Sequence, residues 1–356
     1  MCPYARGLRR FAFNGLFAVC VRDNDKEAAL EVAIDAFKEM RRCHSKTGEP
    51  VYPNAAPDLV TYNTLLDLCA KIRPYAKQQA ALRLFRRMRK DGIKPDVVTF
   101  NTMLFACVNA AGGADARLAA DTFAELLRVS KRTGERVYDG VEPDAFTFTL
   151  LMSCYMNRAA SQGGPAPDMV LRVFDEMVST KADGTRVFAA QPDAAAYKLV
   201  LQACSCVKPA QPKRAIELLH EFRTAHHSGV NARAFHYAMA ACEAAEPPAI
   251  ADGRAVLRGM LRTAFKQATN NVYSCQPNKY TLAAAMRLCA LQSPPQPHIA
   301  EGWFRRIVQL GVPPTRECHG SLTMIVGEDG RDELLAWANE VQEARAKGKG
   351  NPEPTG

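Results

Sequence analysis

The chain has 356 residues, 47% of them hydrophobic, and a formal net charge of +9. That supplies enough apolar material for a sizeable core, in one large domain or two or three small ones. No run of about eighteen apolar residues occurs, which argues against a membrane-spanning helix, while the positive charge favours an acidic partner without choosing nucleic acid over another anionic surface.

Residues 1–9 form an N-terminal extension. The stretch as far as Arg22 contains no acid and carries Arg6, Arg9, Arg10 and Arg22, a composition shared with organellar transit peptides. It also enters the periodic pattern that follows, so it reads as folded structure. "FAFNGLFAVC" (11–20) opens a first helix and "AIDAFKEM" (33–40) a second. In "VTYNTLLDLC" (60–69), Tyr62, Leu65, Leu66 and Cys69 share one helical face. In "AALRLFRRM" (80–88), Ala81, Phe85 and Met88 share a face that leaves Arg83, Arg86, Arg87 and Arg89 largely outside it. Gly92 stops that helix, and Pro95-Asp96 opens the next unit.

The frame then slides along the chain. First and second helices pair at 98–107 with 119–127, 146–155 with 170–177, 195–204 with 215–222, 235–244 with 253–260, and 280–289 with 300–307. A partial last copy joins "RECHGSL" (316–322) to "ELLAWANEV" (333–341). The expected class is all-α, with about eight helix-turn-helix repeats at roughly 10–58, 59–96, 97–144, 145–193, 194–233, 234–278, 279–315 and 316–346. Residues 347–356 read as a disordered basic tail.

Long segments follow several second helices: 43–58, 130–144, 180–193 and 266–278. A Thr-Gly or Asp-Gly near a Val and an aromatic residue suits a small hairpin on one edge of the stack. Tolerated surface insertion is the simpler alternative. Cys20, Cys69, Cys107, Cys204 and Cys289 recur in one slot, where a small apolar side chain fits between closely packed helices. Neighbouring slots are too far apart for a disulfide, and Cys204-x-Cys206 lacks the second pair that a zinc site needs. No metal or cofactor is expected. His226 and His227 read as either ligand-facing or solvated.

The phrase "LVTYNTLL…AALRLFRRMRKDGIKPD" (59–96) resembles the pentatricopeptide repeat, and the resemblance extends over about residues 10 to 345. The Trp and Gly-Tyr signature of the tetratricopeptide repeat is missing. The resemblance implies an α-solenoid wound into a superhelix, its first helices lining the concave surface, with insertions between repeats. It also implies a single-stranded RNA partner, read one base per repeat by a residue of the first helix together with the last residue of the unit.

Carried onto this chain, the base-reading pairs are Asn14 with Asp58, Asn63 with Asp96, Asn101 with Asp144, and Thr149 with Asp193. By the family's rule they read 5′-UUUG-3′. Lys198 with Arg233 matches no reading pair and suits phosphate. Ala238 with Asn278 and Ala283 with Thr315 are weak, and Gly320 has no partner. The second position of each repeat is expected beside the bases, offering Phe11, Val60, Val98, Phe146, Ala195, Phe235 and Tyr280, with aromatic stacking worth roughly 1–3 kcal/mol per base. An Asp after Pro is also an ordinary helix cap.

No deaminase, nuclease or nucleotide-hydrolase signature occurs, so no enzyme is expected. Four readable repeats select too short a word for one transcript, which suggests further repeats before residue 1, loose binding, or a partner such as another RNA-processing or ribosomal protein. The family implies a mitochondrial or chloroplast location and a role in transcript stabilisation, processing or translation. The other reading is a protein-interaction or ribosome-associated scaffold whose RNA code has decayed.

Overall fold

The computed structural model describes residues 10–44, 47–52, 54–72, 77–110, 113–158, 162–226, 230–268 and 275–346. The extension 1–9, the tail 347–356, His227, most of the break after Ile72 and residues 269–274 of the fourth insertion lie outside the described residues. Among the described residues every regular element is a helix, and none is long and apolar enough to cross a membrane.

The chain divides into two units, Met1–Pro192 and Asp193–Gly356. The first holds α1 (Arg10–Arg22), α2 (Lys26–Met40), α3 (Leu59–Lys71), α4 (Gln78–Lys90), α5 (Val97–Val108), α6 (Ala116–Leu126), α7 (Ala145–Met156) and α8 (Pro167–Val178). The second holds α9 (Ala194–Cys206), α10 (Pro212–Ala225), α11 (Ala232–Glu243), α12 (Ile250–Ala268), α13 (Lys279–Ala290), α14 (Pro297–Gln309) and α15 (Arg316–Ala346). Within each unit, every first helix packs on the next first helix and on its own second helix, which is the two-layer stack of a solenoid. The last pair is written as one element: α15 changes direction at Gly327, whose φ of 79° breaks the helix.

The repeated apolar positions build the core. Tyr62, Leu65, Leu66 and Cys69 are fully buried on α3, and Ala81, Phe85 and Met88 form the buried stripe of α4. The five aligned cysteines are all buried, and burial pushes the Cys69 and Cys107 thiols up to about 12. Cys242 joins the slot as a sixth member. His226 is half-buried at the end of α10, edge-on to Tyr197 and Phe222, so aromatic packing explains it.

The insertions of the first, third and fourth pairs share a conformation. Each closes through one antiparallel bridge: Cys43 with Pro50, Val129 with Arg136, and Thr180 with Arg186. Each turns at a left-handed glycine, Gly48, Gly134 or Gly184 with φ of 71°, 72° and 80°, where a side chain would be strained. Each then returns an aromatic residue to the core. Tyr52, Tyr138 and Phe188 meet Phe13, Phe100 and Phe148 edge to face, with ring centroids 5.7, 5.3 and 5.2 Å apart. The two tyrosines also donate from their hydroxyls to Glu39 and Glu125 of the preceding second helices. The small hairpins are thus pinned to their own repeats by their far ends. The second pair has no such insertion, and there Tyr62 donates to Asp91 instead.

Candidate nucleic-acid interface

The fifth residue of a first helix meets the cap of the next first helix, and the same lock forms three times. Asn14 Nδ2 donates to Asp58 Oδ1 at 3.5 Å, and Thr61 Oγ1 donates to Asn14 Oδ1 at 2.8 Å. Asn63 Nδ2 donates to Asp96 Oδ1 at 3.2 Å, and Thr99 Oγ1 lies 2.7 Å from Asn63 Oδ1. Asn101 Nδ2 donates to Asp144 Oδ1 at 3.2 Å, and Thr147 Oγ1 lies 2.7 Å from Asn101 Oδ1.

In each lock the Asp and Thr also form a capping box: the carboxylate accepts the Thr backbone N–H and the Thr hydroxyl accepts the Asp backbone N–H. The three threonines are completely buried. A hydroxyl has one proton, and Thr99 Oγ1 lies 2.7 Å from both Asn63 Oδ1 and Asp96 Oδ1. The carboxylate oxygen already receives two N–H groups, so the Asn oxygen is the better acceptor.

Cap and candidate reading residue are therefore the same side chains. The lock fixes the rotamer of each Asn while using only half its capacity: one amide N–H and one oxygen lone pair are left for a base edge. At the first lock, burial disfavours the charge of Asp58, but hydrogen bonds from Arg10 and from the Thr61 amide and hydroxyl outweigh it, and the carboxyl falls to about 2. Arg10 Nη1 sits 2.8 Å from Asp58 Oδ2.

The second-position side chains flank these locks in the open. Phe11, Val60, Val98, Phe146 and Tyr280 are 81, 57, 52, 50 and 53% exposed, unusual values for large apolar residues. Two cavities open beside them. One, of about 560 Å³, is lined by Phe11, Asn14, Asp58 and Val60 with Arg10 and Asn54. The other, of about 390 Å³, includes Val98, Asn101, Phe105 and Phe146 with the Asp67–Lys71 ion pair at its edge. Each sets an Asn between two exposed apolar side chains from successive repeats. Thr149 holds the equivalent place on α7 in the first unit and Asp193 caps α9 in the second, so that pair is divided between the units.

In the second unit the structure corrects the register. Asn231 caps α11, accepting the Ala234 N–H at 3.3 Å, so the unit ends at Asn231 and not at Arg233. Arg233 is then an exposed second-position residue, and the register partner of Lys198 is Asn231. Phe235, expected beside the bases, is 1% exposed because it sits at the core-facing fourth position. The fifth position belongs to His236 and not to the buried Ala238.

His236 takes part in a lock of its own. Its Nε2 lies 2.7 Å from Thr281 Oγ1, and Thr281 forms a capping box with Asn278. Burial first, and then Arg287 and Arg233, lower the imidazole to about 4, so the ring is neutral near pH 7. Its edge faces the exposed Tyr280, ring centroids 6.3 Å apart. Within the second unit the third helical residue is Ala234 on α11 and Cys318 on α15, and neither brings the hydroxyl that the lock uses. That residue was the signal missing from the sequence reading: Asp or Asn followed three residues later by Thr marks each lock at Thr61, Thr99, Thr147 and Thr281.

Residues 57–109 match the PPR repeat family. Among solved structures, the chain is similar to the maize pentatricopeptide repeat protein PPR10, with 20% identity, a TM-score of 0.45, and coverage of 90% of this chain and 38% of that one. It is also similar to PPR10 in complex with an 18-nucleotide psaJ RNA element, at 20% identity and a TM-score of 0.41, covering 98% of this chain and 40% of that one. The chain thus spans about two fifths of the length of these structures. A comparison with curated proteins gave no match. The matched segment contains the second lock entire, and the same helix pair recurs before and after it.

Proposed function

We propose that the chain is a sequence-selective adaptor for single-stranded RNA, holding one base per repeat across successive first helices of the first unit. The observation that carries this reading is the threefold recurrence of an Asn locked by Asp and Thr between exposed apolar side chains. A cap needs only Asp and Thr. It does not account for the Asn that each lock holds, two of them lining cavities, or for large apolar side chains left in water. Bases enter such slots by stacking, and a fixed amide discriminates their edges by roughly 1–3 kcal/mol.

The three Asn–Asp pairs favour uracil, and Thr149 with Asp193 favours guanine, giving 5′-UUUG-3′ as the preferred word. In this reading the protein acts in organellar RNA metabolism by occupying a transcript, stabilising it or guiding its processing or translation, without catalysis. Lys198, and Arg233 at its corrected second position, would meet phosphate. The missing threonine hydroxyls at Ala234 and Cys318 leave the second unit better suited to a protein partner, an RNA-processing or ribosomal component.

The test is equilibrium binding to a short single strand containing UUUG against one containing CAAC, at about 150 mM salt so that phosphate attraction alone does not dominate. Selective binding to the first is expected, and equal affinity would sink base reading. In Asn63→Thr, the preference at one base should move from uracil toward guanine.

A further inference from the structure

The second helices carry a feature that base reading leaves unused. Helix α4 has five cations (Arg83, Arg86, Arg87, Arg89 and Lys90) and no acid. The other second helices of the first unit are mixed: α2 carries Glu27, Glu31, Asp35 and Glu39, α6 carries Asp121 and Glu125, and α8 carries Asp168, Asp175 and Glu176. Solvation of an outer face explains mixed charge. It does not explain one helix of a single sign between two that contain acids.

The cations of α4 divide by role. Arg87 pairs with Asp91 at 3.0 Å and Arg89 with Glu125 at 3.1 Å, holding the end of the helix to its surroundings. Arg83, Arg86 and Lys90 are exposed and have no acidic partner among the described residues. The helix dipole favours cations only in the last turn, which excludes Arg83 and Arg86. Residues 83, 86 and 90 follow the i, i+3, i+7 rule, so the unpaired charges form one stripe about 10 Å long. A concavity of about 390 Å³ lies along it, lined by Arg86, Arg89 and Lys90. The buried side of the same helix is Ala81, Phe85 and Met88, so the stripe lies on the far side of α4 from the core, whereas the locks are built from first helices and their caps.

We propose that this stripe is a second nucleic-acid contact, one that grips the phosphate backbone of base-paired RNA. The surface favours paired over single strands because α4 exposes no large apolar side chain. Single strands gain much of their hold by stacking on such groups, whereas a duplex hides its bases and offers phosphates and sugar hydroxyls. The protein would then hold a structured RNA at two points, by its helix on α4 and by its loose strand on the first helices.

The experiment uses the full chain and two probes, a blunt RNA duplex of about 16 base pairs and a single strand containing UUUG. Arg83→Gln, Arg86→Gln and Lys90→Gln are combined in one variant. A control variant removes the same charge elsewhere through Arg22→Gln, Arg117→Gln and Arg172→Gln, all at exposed positions. The stripe variant should lose about tenfold or more in duplex affinity, with the salt dependence falling by about two to three contacts. Its single-strand affinity should change less than about twofold, and the control should keep both. Equal losses in the two variants would reduce the stripe to net charge. Equal losses on the two probes would make it part of the single-strand track. Unchanged duplex binding, or a poly-glutamate peptide bound as tightly as the duplex and lost in the same variant, would each overturn the proposal. Failure of base reading would show separately, as loss of the UUUG preference.

Discussion

The two units use one repeat in different ways. In the first, every junction between described first helices is tied by Asn, Asp and Thr, and three of the four pairs carry a hairpin whose aromatic end is driven back into the core. In the second, the tie survives at one junction, with His236 in place of Asn, and Ala or Cys replaces Thr elsewhere. The packing stripe and the cysteine slot run through both. Apolar stacking is therefore enough to propagate the repeat, and the polar tie is an addition that one unit keeps and the other has mostly given up.

The comparison breaks most readily at an aromatic pin. Tyr138→Ala removes a 6%-exposed ring from Phe100 and a hydroxyl from Glu125, and should destabilise the first unit by about 3–5 kcal/mol. Hydrogen exchange would show faster opening of α5 and α6 than of α9 to α14. Tyr138→Phe, which keeps the ring, should cost only about 1 kcal/mol.

Acid should weaken the second unit first. The folded His236 titrates at about 4, below its ordinary value of 6.5, so the unfolded chain binds the proton more readily. The stabilising contribution is complete above pH 6.5 and is lost as the pH falls toward 4, up to about 3 kcal/mol from this group. Denaturant midpoints measured across that window should flatten in His236→Gln. Asp58 acts later: with a folded value of about 2, its contribution is present above pH 3.8 and disappears as the pH falls through 2, in the first unit.

The smallest effect sharpens the contrast. Thr99→Val keeps the shape of a fully buried residue but leaves Asn63 and the Asp96 backbone N–H short of a partner, a loss of about 1–3 kcal/mol. Val at Ala234, where no lock exists, should change stability only through packing. The difference between the two unfolding curves isolates the worth of the tie.

Much of this was legible in the chain. The α4 stripe follows from Ala81, Phe85 and Met88, and the core face of α3 from Tyr62, Leu65, Leu66 and Cys69. The pairing of Asn63 with Asp96 also followed, though as a carry-over from the family. The sixth repeat was misread because aromatics serve two positions. Phe11 and Phe146 are exposed at the second, while Phe13, Phe100 and Phe148 are buried at the fourth, so Phe235 alone could not set the frame. Cys242 could have set it, lying six residues after His236 as Cys69 lies six after Asn63. The threonines were passed over because a hydroxyl near a helix start looks like any other cap; its reach to the preceding repeat needs three dimensions. The aromatic pins were hidden for a similar reason, since Tyr138 is close to Phe100 only after the intervening helix and hairpin have doubled back.

The lock has a consequence for how such a chain can be cut and rejoined. Each Asn is held by the Asp that closes its own repeat and by the Thr of the next first helix, so a segment bounded by whole helix pairs carries half of two different ties. Moving α3 and α4 as a block would strand Asn63 from its own Asp96 and offer Asp58 to a stranger. The exchangeable cassette runs instead from inside one first helix, just before the Asn, to just beyond the Thr of the next, out of phase with the helices themselves. Duplication, deletion or engineered shuffling that respects this phase inherits intact ties, whereas cuts at the turns must rebuild them at both ends.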